Sequence, residues 1–93
     1  MELITIEIPE GMIIPENSDL ERFVNSFDKA GVKMSLSDYE YIECVGGNKT
    51  IIPAISLYNE SDNNEFFGGY NNYVNMVFTK ENGKLLQIYG GYE

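Results

Sequence analysis

The stretch SDLERFVNSFDKAG, residues 18–31, carries a start signal, an apolar stripe and a stop signal for one amphipathic helix. Ser18 is a good N-cap, and Glu21 three residues on completes a capping box. Asp19 and Glu21 stand where the helix dipole favours negative charge. Leu20, Phe23, Val24 and Phe27 recur at i, i+3, i+4 and i+7, so they form a single stripe that must be buried against something. Ala30 closes the helix, and Gly31 suits the left-handed position that follows a helix end.

What the stripe packs on is read from the flanking sequence. Upstream, LITIEI (residues 3–8) alternates, with Ile4, Ile6 and Ile8 to one side and Thr5 and Glu7 to the other, as in a half-buried strand. Pro9, Glu10 and Gly11 make a turn, and Met12, Ile13 and Ile14 form an extended connector stopped by Pro15. Downstream, residues 39–45 and 50–58 read as two strands joined by a turn at Gly46, Gly47 and Asn48. Pro53 cannot donate to a ladder, which predicts an edge strand or a bulge. Residues 59–72 read as a long polar loop, and residues 73–79 and 84–89 as a hairpin around Glu81-Asn82-Gly83.

The register of that last hairpin follows from burial. A two-residue Asn-Gly loop would set Val74, Met76 and Phe78 on the face opposite Leu86 and Ile88. A three-residue loop with Gly83 left-handed pairs Phe78 with Leu86 and Met76 with Ile88, which makes one face fully apolar. The expected architecture is therefore α+β: one N-terminal helix packed on a mainly antiparallel sheet of about five strands, in a single domain covering residues 1–93.

The 93 residues are 43% hydrophobic and 13% aromatic, enough for one core and unlike a disordered tail. No stretch approaches the roughly 20 apolar residues that span a bilayer, and MELITIEIPE lacks the basic start of a signal peptide, so a cytoplasmic protein is expected. Fifteen acids against six bases give a net charge of −9. Such a chain is repelled by nucleic acid and by anionic membrane and attracted to basic proteins, unless the charge serves solubility alone.

The absence of His removes the Ser-His-Asp triad, the Cys-His dyad and the common zinc sites. Cys44 lies beside Ile42 and Val45 in an apparent strand and reads as a buried structural thiol. Gly46-Gly47 and Gly68-Gly69 lack the spacing and the Lys of a phosphate loop. The acids at 60–65 fail the EF-hand pattern, because Phe66 stands where a ligand is required. No catalytic residue, metal or cofactor is expected.

Two segments are candidates for binding a partner. Phe66-Phe67-Gly68-Gly69-Tyr70-Asn71-Asn72-Tyr73 mixes aromatic anchors with adaptable residues, as antibody loops do, and Glu60, Asp62 and Glu65 lie just before it. The alternative there is a core plug made by the phenylalanines, with Tyr70 and Tyr73 capping the sheet. Asp38, Glu40 and Glu43 form a second acidic run. On a strand, Glu40 shares a face with Ile42 and Cys44, and Glu43 shares one with Tyr41 and Val45, so the three do not make one regular phosphate-like array.

The C-terminal stretch Val77-Phe78-Thr79-Lys80-Glu81-Asn82-Gly83-Lys84-Leu85-Leu86, running to Tyr92-Glu93, resembles the closing hairpin of small acidic bacterial immunity proteins, which neutralise toxins passed between competing cells. It covers under a fifth of the chain. The resemblance implies a cytosolic inhibitor that plugs a cationic toxin, often a nuclease, and assigns no contact residues. The expectation is a non-catalytic stoichiometric inhibitor of a basic protein, either an immunity protein or a phage-encoded inhibitor of a host nucleic-acid enzyme or defence system. The rival expectation is a small-ligand-binding domain, acting as a homo-oligomer through an edge strand at 50–58.

Overall fold

The computed structural model describes residues 8–30, 34–60 and 73–91. One helix, α1 (Asp19–Ala30), precedes four strands: β1 (Ser35–Val45), β2 (Asn48–Glu60), β3 (Tyr73–Thr79) and β4 (Leu85–Gly91). They form one antiparallel sheet in the order β1-β2-β3-β4. The fold is α+β as the patterning predicts, with four strands rather than about five among the described residues. Of the expected strand 3–8, residues 3–7 lie outside the described residues, and Ile8 is in no strand and half exposed.

The helix begins where its cap predicts. The Glu21 N–H donates to Ser18 Oγ at 3.1 Å, and that hydroxyl donates to the Pro15 carbonyl at 2.6 Å. The reciprocal arm of the box is displaced by one residue. The Glu21 carboxylate accepts the N–H of Asn17 at 3.2 Å, Asn17 standing in the left-handed region with φ 57°. Leu20, Val24 and Phe27 then bury against Met34 and Leu36, Ile55 and Leu57, and Val74, Met76 and Phe78. Phe23 is partly buried and extends the stripe, its ring 5.9 Å from Phe27 and 5.8 Å from Phe78.

The helix start is also tied to the β3–β4 turn. The Leu20 N–H, which has no partner inside the helix, donates to the Gly83 carbonyl at 3.0 Å, and the Asp19 carboxylate accepts the Leu85 N–H at 3.0 Å. Gly83 is left-handed (φ 63°), as the sequence predicts. The loop is longer than the three residues expected, because Thr79 and Gly83–Lys84 close it by backbone bonds of 2.8 Å. Met76 still faces Ile88, but Phe78 faces Leu85, and Leu86 is left without a facing residue in a bulge. The bulge turns Leu85 onto the core while keeping the far register, whereas Ile88 stays half exposed on the edge strand.

β1 and β2 join through a two-residue loop, Gly46 (φ 58°) and Gly47 (φ 84°), with Asn48 already in the strand opposite Val45. Two successive positive φ values are those of a type I′ turn, whose twist matches the strands it joins. Pro53 is neither on an edge strand nor at a bulge: β2 lies between β1 and β3, and its register with β1 is unbroken. It is tolerated because β3 pairs with β2 only from Ala54 onward. The Pro53 carbonyl points to that side and accepts the Lys80 N–H at 2.9 Å, so its missing N–H falls just beyond the end of the β2–β3 ladder.

Candidate binding edge on strand β1

The same mismatch in strand length positions the candidate site. β1 pairs with β2 along all its residues, but β3 stops at the level of Ala54. From Glu40 to Pro53 the hairpin continues as a two-stranded ribbon, about 20 Å long at 3.3 Å per residue. Leu36 is buried under α1, but β1 is exposed at nine of its eleven positions.

The sequence leading into and along this ribbon is Asp38-Tyr39-Glu40-Tyr41-Ile42-Glu43, in which acids and tyrosines alternate as far as Tyr41; Asp38 and Tyr39 still lie beside the part of β2 that β3 covers. Alternation puts Asp38, Glu40, Ile42 and Cys44 on the helix side of the sheet, and Tyr39, Tyr41, Glu43 and Val45 on the other. Three apolar side chains on the ribbon are more exposed than buried: Ile42 (56%), Val45 (66%) and Ile51 (61%), with Ile42 directly opposite Ile51. Cys44 is exposed, against the expectation of a buried thiol, because β1 has by then run past the cover of the helix.

The backbone of β1 has a definite polarity. Pro53 faces Glu40, and the Pro53 carbonyl points away from β1. Glu40 is therefore in a non-hydrogen-bonded pair, with its own N–H and C=O turned outward. By alternation, Asp38, Ile42 and Cys44 also direct their main-chain groups away from β2. At the inner side of the strand Lys80 Nζ bonds Asp38 Oδ1 at 2.6 Å, both side chains being largely exposed. Behind this pair an open groove of 490 Å³ lies between Glu40, Ile51, Pro53 and Lys80.

On the face away from the helix a chain of polar contacts crosses the sheet. Ser56 Oγ donates to Asn75 Oδ1 at 2.6 Å, and Asn75 Nδ2 donates to the Tyr89 hydroxyl at 2.6 Å. The Tyr89 phenol also interacts with that of Tyr39. Interaction with the Tyr89 hydroxyl, then the charge of Tyr89, desolvation and the neighbouring Tyr41 raise the Tyr39 phenol above its ordinary value.

Asp38, Glu40 and Glu43 thus lie together on β1, on two faces. Tyr73 is half-buried on β3, its ring stacked 6.3 Å from Tyr58. Glu60 ends β2 opposite Tyr73, at the end of that strand away from the ribbon, so the two acidic groups are not brought together by β2. Asp62, Glu65 and Tyr70 lie outside the described residues, as do Phe66 and Phe67. The sequence does not single out Tyr39, Ile42 and Ile51 as exposed, or Tyr41 as half-buried beside them, because alternation shows which residues share a face and not where cover by the helix ends.

Among the described residues no group of three or more His, Cys, Asp or Glu is arranged to hold a metal ion, and no helix is long and apolar enough to cross a membrane. No protein-family model, curated protein or solved structure matches this chain.

Proposed function

We propose that this chain is a non-catalytic acidic binding protein that acts as a stoichiometric inhibitor of a basic protein, in the manner of an immunity protein or of a phage-encoded inhibitor of a host nucleic-acid enzyme or defence system. The observation that supports it is the β1–β2 ribbon. There Glu40 and Glu43 stand beside exposed Ile42, Val45 and Ile51 on an element that projects from the body, with Asp38 at its base. An interface with aromatic or aliphatic anchors inside a charged rim has this composition. The net charge of −9 adds a long-range field that speeds encounter with a cationic surface and repels polyanions.

The test is a binding and inhibition measurement. The chain is immobilised, cationic proteins retained from an extract at low salt are identified, and each is purified and titrated. A partner should lose its activity at one equivalent, with affinity falling steeply between about 50 mM and about 500 mM salt. Retention that is indifferent to salt, or turnover of a substrate by the chain itself, would contradict the proposal.

A further inference from the structure

We infer that the outer edge of β1 takes an extended, basic segment of the partner as an added strand; this rests on the proposal of a basic partner and specifies how it is held. A strand edge offers a row of main-chain donors and acceptors, and proteins ordinarily blunt such edges with a Pro, a bulge, charged side chains (Lys above all) or a covering element. Among the described residues β1 has no Pro, Lys, bulge or covering element over Ser35–Val45: its register with β2 is unbroken, its side chains are exposed from Ser37 to Glu40 and from Ile42 to Val45, and the charges it carries are the acids Asp38, Glu40 and Glu43, which a basic strand would neutralise. The main-chain groups of Asp38, Glu40, Ile42 and Cys44 point outward, at the spacing that a fifth strand would meet.

The charge on this edge identifies the occupant. An added strand alternates its side chains between the two faces of the sheet. On the helix side they would pass Asp38 and Glu40, and on the other side Tyr39, Tyr41 and Glu43. Arginine suits both rows, pairing with carboxylates on one side and lying on tyrosine rings beside a carboxylate on the other. A second copy of this chain suits the edge poorly. The antiparallel pairing that overlaps β1 fully with itself sets Glu40 directly opposite its own copy, and like charges so placed are destabilising.

The experiment uses the full chain and two synthetic peptides of about ten residues with the same arginine content, one alternating Arg and Thr and one interrupted by Pro so that it cannot add as a strand. Titrations are made with wild type, Ile42→Ala and Ile42→Pro, each shown to be folded by its thermal transition. Ile42→Pro removes an outward amide and no bond of the β1–β2 ladder. The inference predicts that wild type and Ile42→Ala prefer the alternating peptide roughly ten-fold, the worth of one or two main-chain hydrogen bonds, and that Ile42→Pro abolishes the preference. Equal, salt-sensitive binding of both peptides would overturn strand addition and leave the basic-partner proposal standing, as would a preference that survives Ile42→Pro. Binding of neither peptide at low salt would sink both. If Ile42→Pro fails to fold, the two-peptide comparison with wild type decides alone.

Discussion

Gly83 and Ser18 approach so closely that a Cβ on the glycine would stand 2.7 Å from the Cβ and from the hydroxyl oxygen of the serine. The β3–β4 turn is thereby pressed against the helix start, where the Gly83 carbonyl receives the Leu20 N–H. Gly83→Ala meets two penalties, a left-handed φ of 63° and a clash with a buried cap residue. Denaturant unfolding should register a loss of about 2 kcal/mol or more. Gly46→Ala carries only the first, since nothing lies within 4 Å of its Cβ, and should cost about 1–2 kcal/mol. Equal costs would show that the turn and the helix are not in contact.

Asp19 links the same two elements through its charge. The Leu85 N–H lowers its carboxyl below the ordinary Asp value, with Arg22 and Lys84 assisting against partial desolvation. A depressed folded-state value means that the unfolded chain takes up the proton first as pH falls. The contribution is complete above the ordinary Asp value of about 3.9 and is lost as pH drops through the lower folded value. Melting temperatures of wild type and Asp19→Asn should differ at pH 6 and converge in strong acid. A gap unchanged at low pH would contradict the assignment.

The core makes a graded prediction. Phe27 is 2% exposed, and Phe27→Ala should destabilise the fold by about 3–5 kcal/mol. Ile42→Ser, on the exposed ribbon, should change stability by less than about 0.5 kcal/mol. Urea midpoints for the two variants measure the contrast directly.

Tyr39 makes a prediction at the alkaline end. Its phenol is held above its ordinary value, chiefly by its interaction with Tyr89, so folding favours the protonated form. Stability is complete below the unfolded phenol value of about 10 and falls as pH rises through the higher folded value. Tyr39→Phe should flatten that alkaline decline. An unchanged decline would contradict the raised value.

How far the sequence foretells these features depends on whether the cause is local. The α1 cap and stripe, the left-handed Gly83 and the Met76–Ile88 register follow from a few neighbouring residues, and all are observed. The exposure of Cys44 and the tolerance of Pro53 do not, because both depend on where β3 stops relative to β2, a property of strands distant in sequence. Residues 35–38 were missed as strand because Ser35, Ser37 and Asp38 are poor strand formers that pairing with Ser56, Ile55 and Tyr58 overrides. The ribbon was invisible for the same reason: nothing local marks residues 40–53 as lying past the sheet.

The acids of β1 act as a site and not only as part of the total charge if their place on the strand, and not just their number, sets the affinity for a basic segment. Two triple variants carry the same change of charge: Asp38→Asn, Glu40→Gln, Glu43→Gln on β1, and Glu10→Gln, Glu16→Gln, Glu81→Gln on exposed positions elsewhere. Their affinities for one immobilised arginine peptide at about 150 mM salt are to be compared. The β1 variant should bind roughly ten-fold or more weaker than the other. Equal weakening of the two would mean that the chain is merely a polyanion and that β1 is no binding edge.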